Sequence, residues 1–249
     1  MAPAPAPLAP ATAPAPEAGS PAWWQARYAE RGRRRPRPGG LTLDRITAAA
    51  LELADREGTD ALTMRRLGDH LQVRHTSLYR HVASREELLI ETVDHMLGEI
   101  RLPVLDGDWR SGLEDGAREF RRVLAAHPAV VPLLTNGQLL GPHAMRAREH
   151  ALGQLLDQGW PPRAAVHVYL MVTHFVIGAA VLDAGGAART PAQRAAMTGL
   201  FTSLSPLTHP VVHGHAELLN SLDSEEEFAF GLSTLLHGLD RLHAPGAAS

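Results

Sequence analysis

The stretch Thr63–Arg85, TMRRLGDHLQVRHTSLYRHVASR, decides the fold. Two short helical patterns lie in it almost back to back. In the first, Thr63 stands where a cap is needed, and Met64, Leu67 and Leu71 share one face. In the second, Leu78 and Val82 keep an inward stripe, which leaves Arg74, His75, Thr76, Ser77, Tyr79, Arg80 and His81 to face outward. A helix this short and this polar buries only part of its surface. Its outward side offers donors for phosphate oxygens and short side chains that reach base edges in a major groove. The stretch reads as a helix-turn-helix.

Its surroundings agree. A helix is expected from Thr42 to Glu57, with Ile46, Ala49, Ala50, Leu53 and Ala54 inward and Gly58 as its stop. On the other side, Ser84 and Glu87 form a capping-box pattern for a helix that runs through Leu88, Val93, Met96 and Ile100 to Pro103. That helix is long enough to join a small module to a larger body. Upstream, Met1 to Pro21 is dominated by Ala and Pro and reads as a mobile tail. Trp23, Trp24 and Tyr28 follow, then a run from Arg31 through Arg33, Arg34 and Arg35 to Arg37. This run has the composition of an arm for an adjacent minor groove, where negative potential attracts arginine.

Charge is distributed unevenly. Arg27 to Arg85 holds 13 Arg against 7 acidic residues, whereas Glu86 onward holds 11 Arg against 19, within a net charge of −3. A basic module on an acidic body is an electrostatic footprint for a polyanion. All 24 basic residues are Arg, which carries no functional information. With no cysteine, disulfides, thiolate metal sites and cysteine nucleophiles are excluded. No uninterrupted apolar run approaches the roughly 20 residues of a membrane span, and the N-terminus lacks a secretion-signal pattern. The cytoplasm is the expected location and a membrane is not an expected partner.

Beyond the linking helix, Pro and Gly signals divide the chain into further helices: Trp109–Ala126, one from Pro142 to Gly159, one from Ala165 to Ala184, one from Pro191 to about Leu204, and Glu225 to about Leu242. Ser205 to Gly214 reads as loop. The 165–184 segment is apolar all round and needs cover on every side, most simply from a second copy of the chain. No strand alternation or internal repeat occurs. The fold class is all-α. The expected organisation is a tail and arm (1–40), a three-helix helix-turn-helix DNA-binding domain (41–86), a larger helical ligand-binding and dimerisation domain (87–243) and a short tail (244–249).

The chain resembles the TetR family of tetracycline-repressor-type transcriptional regulators. The residues carrying the resemblance are Ser77-Leu78-Tyr79-Arg80-His81-Val82 with the capped helix at Ser84, and the frame Ala48–Leu53, Gly58 and Leu62–Arg65. In the body they are Trp109, Phe120-Arg121, His127, Gln158-Gly159-Trp160, His174-Phe175 with Gly178, and Glu227–Leu232. The resemblance implies a homodimer that binds operator DNA and a small-molecule effector, most simply as a repressor. It implies DNA contacts from Arg65, His75, Ser77, Tyr79, His81 and Arg85, to which the residue chemistry adds Arg74, Thr76 and Arg80. Arg65 and Arg85 suit phosphates, and Arg80 suits either guanine or phosphate. One departure is Gln72, where many members place Gly in the tight turn between the two helices. If that turn needs a left-handed residue, Gln costs on the order of 1 kcal/mol.

The effector side departs further. At positions aligned with the drug and magnesium contacts of the tetracycline repressor, this chain has Arg101, Gly116, Leu134, Gly137, Ala151 and Leu182. A tetracycline–metal chelate is therefore not expected. A pocket of Leu113, Phe120, Leu124, Leu134, Tyr169 and Val172 suits a bulky apolar or aromatic molecule instead. No metal site is read from His167 and His174 or from His209, His213 and His215, which lack carboxylate partners at ligand spacing. No cofactor is expected, and no nucleophile elbow, phosphate loop or dinucleotide fingerprint occurs, so an enzyme is not expected. The alternatives left open are an all-α ligand-binding protein or enzyme with a vestigial DNA module, and an activator.

Overall fold

The computed structural model describes residues 16–31, 40–102, 108–135, 139–186 and 190–243, and among them every regular element is helical. The Arg33–Arg37 run, Gly137 and the tail 244–249 lie outside the described residues.

Helices α2 (Leu43–Glu57), α3 (Met64–His70) and α4 (His75–Leu78) build the DNA-binding module. Each start is set locally. The Thr42 hydroxyl accepts from Arg45 N, and the Thr63 hydroxyl accepts from Arg66 N, so two orphan donors are satisfied. The module's core contains Ile46, Leu53, Leu62, Leu67, Leu78 and Val82, with Leu88 arriving from the next helix. Between α3 and α4 the chain reverses through Gln72, the one non-glycine residue at positive φ (55°) among the described residues. Gly68 allows this closeness, since a Cβ there would meet Val73 O at 3.0 Å and His75 Cα at 3.1 Å. The Gln72 strain gives a direct prediction. Gln72→Gly should raise unfolding free energy by about 1 kcal/mol, read as a higher urea midpoint; an unchanged or lower midpoint would contradict it.

Helix α5 (Arg85–Leu97) leaves the module. It stops short of the expected Pro103. At Gly98 the last carbonyls are closed by tight turns, and a Cβ at this position would press on His143 Nδ1 at 2.9 Å. The expected capping box also closes differently: Ser84 Oγ accepts from Glu87 N, while Glu87 Oε2 accepts from Ala83 N rather than Ser84 N. Helix α5 contributes to both cores. Leu88 lies in the module core, whereas Val93, Met96 and Leu97 lie in the body core with Leu51 and Ala54 of α2.

The body consists of α6 (Trp109–Ala126), α7 (Pro142–Asp157), α8 (Pro162–Gly186) and α12 (Ser224–His243), with the smaller helices α9 (Pro191–Ser203), α10 (Pro210–Gly214) and α11 (Leu218–Ser221) alongside. Helix α10 corrects the expected loop over 205–214: Pro210 supplies a ready-made first helical position. In α8, Ala165, Val168, Val172, Val176 and Ala180 form a buried stripe at helical spacing. Its packing partners are α6, α7 and α12. Contrary to the sequence expectation, Pro162–Gly185 is long and apolar enough to cross a membrane, at a mean hydropathy of 1.9. His167, Thr173 and His174 interrupt the run without adding a fixed charge. On the other side of α8, Val166, Leu170 and Leu182 are exposed, as are Phe230 and Leu242 of α12. Leu156 of α7 is exposed too.

Residues 21–31, within the expected tail and arm (1–40), are helical. They form helix α1 (Pro21–Arg31), with Trp23 and Trp24 buried. Gly19 (φ 80°) brings the chain in against Ile90, and Ser20 Oγ accepts from Trp23 N. The two indoles supply the apolar burial that the Ala/Pro-rich residues before them lack.

Candidate DNA-contact face and effector pocket

Helix α4 presents a polar face because its inward side is used up by Leu78, while Val82 closes the core behind it. Arg65, Arg74, His75, Thr76 and Arg80 are exposed, and Ser77 and His81 are half-buried. Tyr79 is 51% exposed, so it is not a packing aromatic. Only residues 75–78 are regular helix; 79–81 continue as turns, with His81 N donating to Leu78 O. Among the described residues, Arg65, Arg74 and Arg80 have no carboxylate partner, whereas the neighbouring Arg66 is ion-paired to Glu57. Cations without an internal partner on one face are the ones available to phosphates. Arg85 differs from its expected role. Its guanidinium turns inward, donating to Leu62 O at 2.8 Å and Thr59 O at 2.7 Å, and so ties the start of α5 to the turn before α3.

The body holds a partly open pocket of about 120 Å³. Its walls are Leu97 at the end of α5, with Ile100 and Leu102 beyond it; Trp109, Leu113, Gly116, Ala117 and Phe120 on α6; Ala147, His150, Ala151 and Gln154 on α7; and Tyr169, Val172, Thr173 and Val176 on α8. Of the residues proposed from the sequence for an effector pocket, Leu113, Phe120, Tyr169 and Val172 line this one. Leu124 and Leu134 do not: both are buried in the body core with Val130 and Val131, and Leu124 borders a separate, more open pocket beside Arg121 and Ala180. The polar groups escaped the sequence reading. His150 Nε2 lies 2.7 Å from Gln154 Nε2, one turn apart on α7, and the Tyr169 hydroxyl accepts from Arg148 Nε at 3.2 Å. A helix-spaced His and Gln was the available signal. Of the aligned drug-contact positions, Gly116 and Ala151 line the cavity with no donor, and Leu182 is exposed.

Pocket and DNA module are joined through α5. The buried Asp94 carboxylate accepts from His143 N at 3.3 Å and Ala144 N at 3.1 Å, so a residue of the linking helix caps the first turn of α7. Gly141 is required at this contact, because a Cβ there would overlap the Asp94 carboxylate. A second tie is His127, whose Nδ1 lies 2.7 Å from Asp55 of α2 and whose Nε2 lies 3.0 Å from Glu99. Burial pulls the His127 pKa down, but hydrogen bonds to Glu99 and Asp55 outweigh it and leave the value raised. A raised folded-state pKa gives stability that is complete below the unfolded value of about 6.5 and is lost as pH climbs through the folded one. With both carboxylates partly exposed, the effect is at most about 1 kcal/mol. Stability should therefore decline above neutrality, and His127→Gln should flatten that decline in denaturation series across pH. An identical slope in the variant would remove the tie.

Comparisons with known proteins follow this division. Residues 46–92 match the family profile described as bacterial regulatory proteins, tetR family, and residues 102–242 match the tetracyclin repressor-like C-terminal domain. The chain is 34% identical over 236 residues to the HTH-type transcriptional repressor DrrR1 of Streptomyces coeruleorubidus, covering 89% of this chain and 84% of that protein. It is 39% identical over 139 residues to an HTH-type transcriptional regulator of Saccharopolyspora erythraea, a match spanning 55% of this chain and 59% of that protein's length. Among solved structures, Streptomyces coelicolor ActR in complex with actinorhodin superposes with a TM-score of 0.72 at 31% identity, covering 85% of this chain and all of that one. This chain belongs to the TetR family of bacterial transcriptional regulators.

Proposed function

We propose that the protein is a homodimeric repressor, released from its operator by a bulky apolar or aromatic molecule with a hydrogen-bonding edge. The observation that carries this reading is the Asp94 cap on α7. The pocket, near 120 Å³ and partly open, is about the size that holds one benzene, roughly 150 Å³, so a larger effector seated between its walls pushes them apart. The wall formed by α7 cannot move without pulling on Asp94, hence on α5 and the DNA module. Differential affinity for the separated-wall state is what shifts the population towards release. The effector's polar edge meets His150, Gln154, Thr173 and the Tyr169 hydroxyl, while Phe120 and Trp109 supply aromatic faces. In the DNA-bound state Arg65, Arg74 and Arg80 take phosphates or guanine, and His75, Thr76, Ser77, Tyr79 and His81 complete the contact. ActR, solved with actinorhodin, supports an effector of comparable bulk.

Dimerisation is supported by the exposed apolar residues of α8 and α12. Leu182 is 77%, Phe230 75% and Leu242 67% exposed within one protomer, a pattern that a second copy would cover. Two α4 faces related by a two-fold axis read half-sites about 34 Å apart. Selection of genomic fragments on the full chain tests this. The expected product is a sequence with two inverted half-sites, protected in footprinting and bound by a dimer; failure to enrich any sequence would count against the proposal.

A further inference from the structure

We infer that helix α1 is a clasp that fixes the DNA-binding module on the effector domain. It touches the three parts whose relative positions set the geometry. At the end of the contact face, Arg27 donates to His81 O at 3.2 Å. Along α5, Trp23 Nε1 donates to Glu87 Oε1 at 2.9 Å, Arg27 pairs with Glu87 at 3.1 Å and Glu91 at 3.3 Å, and Arg31 pairs with Glu91 at 2.5 Å. On the effector domain, the Tyr28 hydroxyl donates to Leu140 O at 2.8 Å, one residue before the Gly141 contact with Asp94.

These contacts are built for holding. The side chain of Glu91 is almost fully buried, and a carboxylate there is tolerable only while both guanidiniums stay in place. Trp23 and Trp24 are buried, and the Arg27 guanidinium lies 4.8 Å from the Trp23 ring centroid. The Tyr28 hydroxyl is the clasp's hydrogen bond to the segment that leads into α7. An effector that displaces the start of α7 therefore works against Tyr28 as well as Asp94, and loosening α1 frees the module before any effector binds. Only the operator arm of the test below rests on the repressor reading; the distance arm does not.

The chain has no cysteine, so the paired substitutions Asp69→Cys on α3 and Asp115→Cys on α6, both at exposed positions, accept nitroxide labels selectively. The full-length labelled protein is diluted into unlabelled chain, and the distance between labels is read by pulsed electron resonance. The native sequence should give one narrow distribution. Arg27→Gln, which unpairs Glu91, and the milder Tyr28→Phe, which removes one hydroxyl, should both broaden it. Operator binding by Tyr28→Phe should weaken by up to about fivefold, because a smaller fraction of molecules holds the competent geometry. Circular dichroism checks folding, and if Arg27→Gln does not fold, Tyr28→Phe decides alone. A native-width distribution in a folded Tyr28→Phe chain overturns the clasp. Broadening without enriched DNA keeps the clasp and removes the repressor reading.

Discussion

Leu78→Ala should destabilise the DNA-binding module by about 3 kcal/mol and abolish sequence-specific DNA protection. Leu78 is fully buried at the centre of a small core shared by Ile46, Leu62, Leu67, Val82 and Leu88. It is also the residue that turns the polar face of α4 outward, so the cavity left behind lets that face rotate. A core this small has little reserve. The larger effector-domain core, from Trp109 to Leu239, is untouched by the change. Thermal unfolding should gain an early phase belonging to the module, while the main transition stays in place. Native operator affinity in the alanine variant would show that the face is not organised from this core.

Asp94→Ala should separate effector binding from DNA release. The substitution removes the acceptor for His143 N and Ala144 N at a buried helix start. Losing a cap and leaving donors unpaired costs about 2 kcal/mol. The larger consequence is mechanical, since α7 and α5 lose their polar link while the cavity walls remain. With an aromatic ligand found by thermal-shift screening, the variant should bind within a few-fold of the native affinity yet need far more ligand to leave the operator. Gly141→Ala should behave similarly by forcing the same carboxylate aside. If ligand still released the Asp94 variant as it does the native chain, signal transfer would run elsewhere, with His127 and Asp55 as the next candidates.

The helix-turn-helix was legible because its signals are local. Thr42, Thr63 and Ser84 each act on a donor three residues away, and the inward pairs Met64/Leu67 and Leu78/Val82 are set by helical period. Gln72 was legible through the resemblance, which places Gly in this tight turn, and its φ of 55° is the left-handed conformation such a turn needs. Long-range pairings were not. Arg85 looks like a phosphate ligand until Leu62 O and Thr59 O are found beside it. Leu124 and Leu134 share the chemistry of Leu113 and Phe120, and only the positions of neighbouring helices decide which of them face the pocket between α6, α7 and α8. Helix α1 was hidden by composition: the Ala/Pro-rich residues before it and the Arg run after it outweighed two tryptophans, and the acceptor of Trp23, Glu87, lies 64 residues away. Asp94 gave no signal at all, because a carboxylate on a helix is ordinarily solvated and its partners are backbone N–H groups of a distant segment.

The central claim, that the face from Arg65 to His81 reads DNA, is tested most directly by the salt dependence of operator binding. Affinity is measured between about 50 and 200 mM salt for the native chain, for Arg65→Ala and for Tyr79→Ala, using the selected operator and a scrambled duplex. Removing a phosphate contact at Arg65 should weaken binding to both duplexes and lower the slope of log affinity against log salt by about 1. Tyr79→Ala should weaken operator binding while leaving the fold intact, since half of that side chain is exposed. Native affinities and an unchanged slope in both variants would contradict the account.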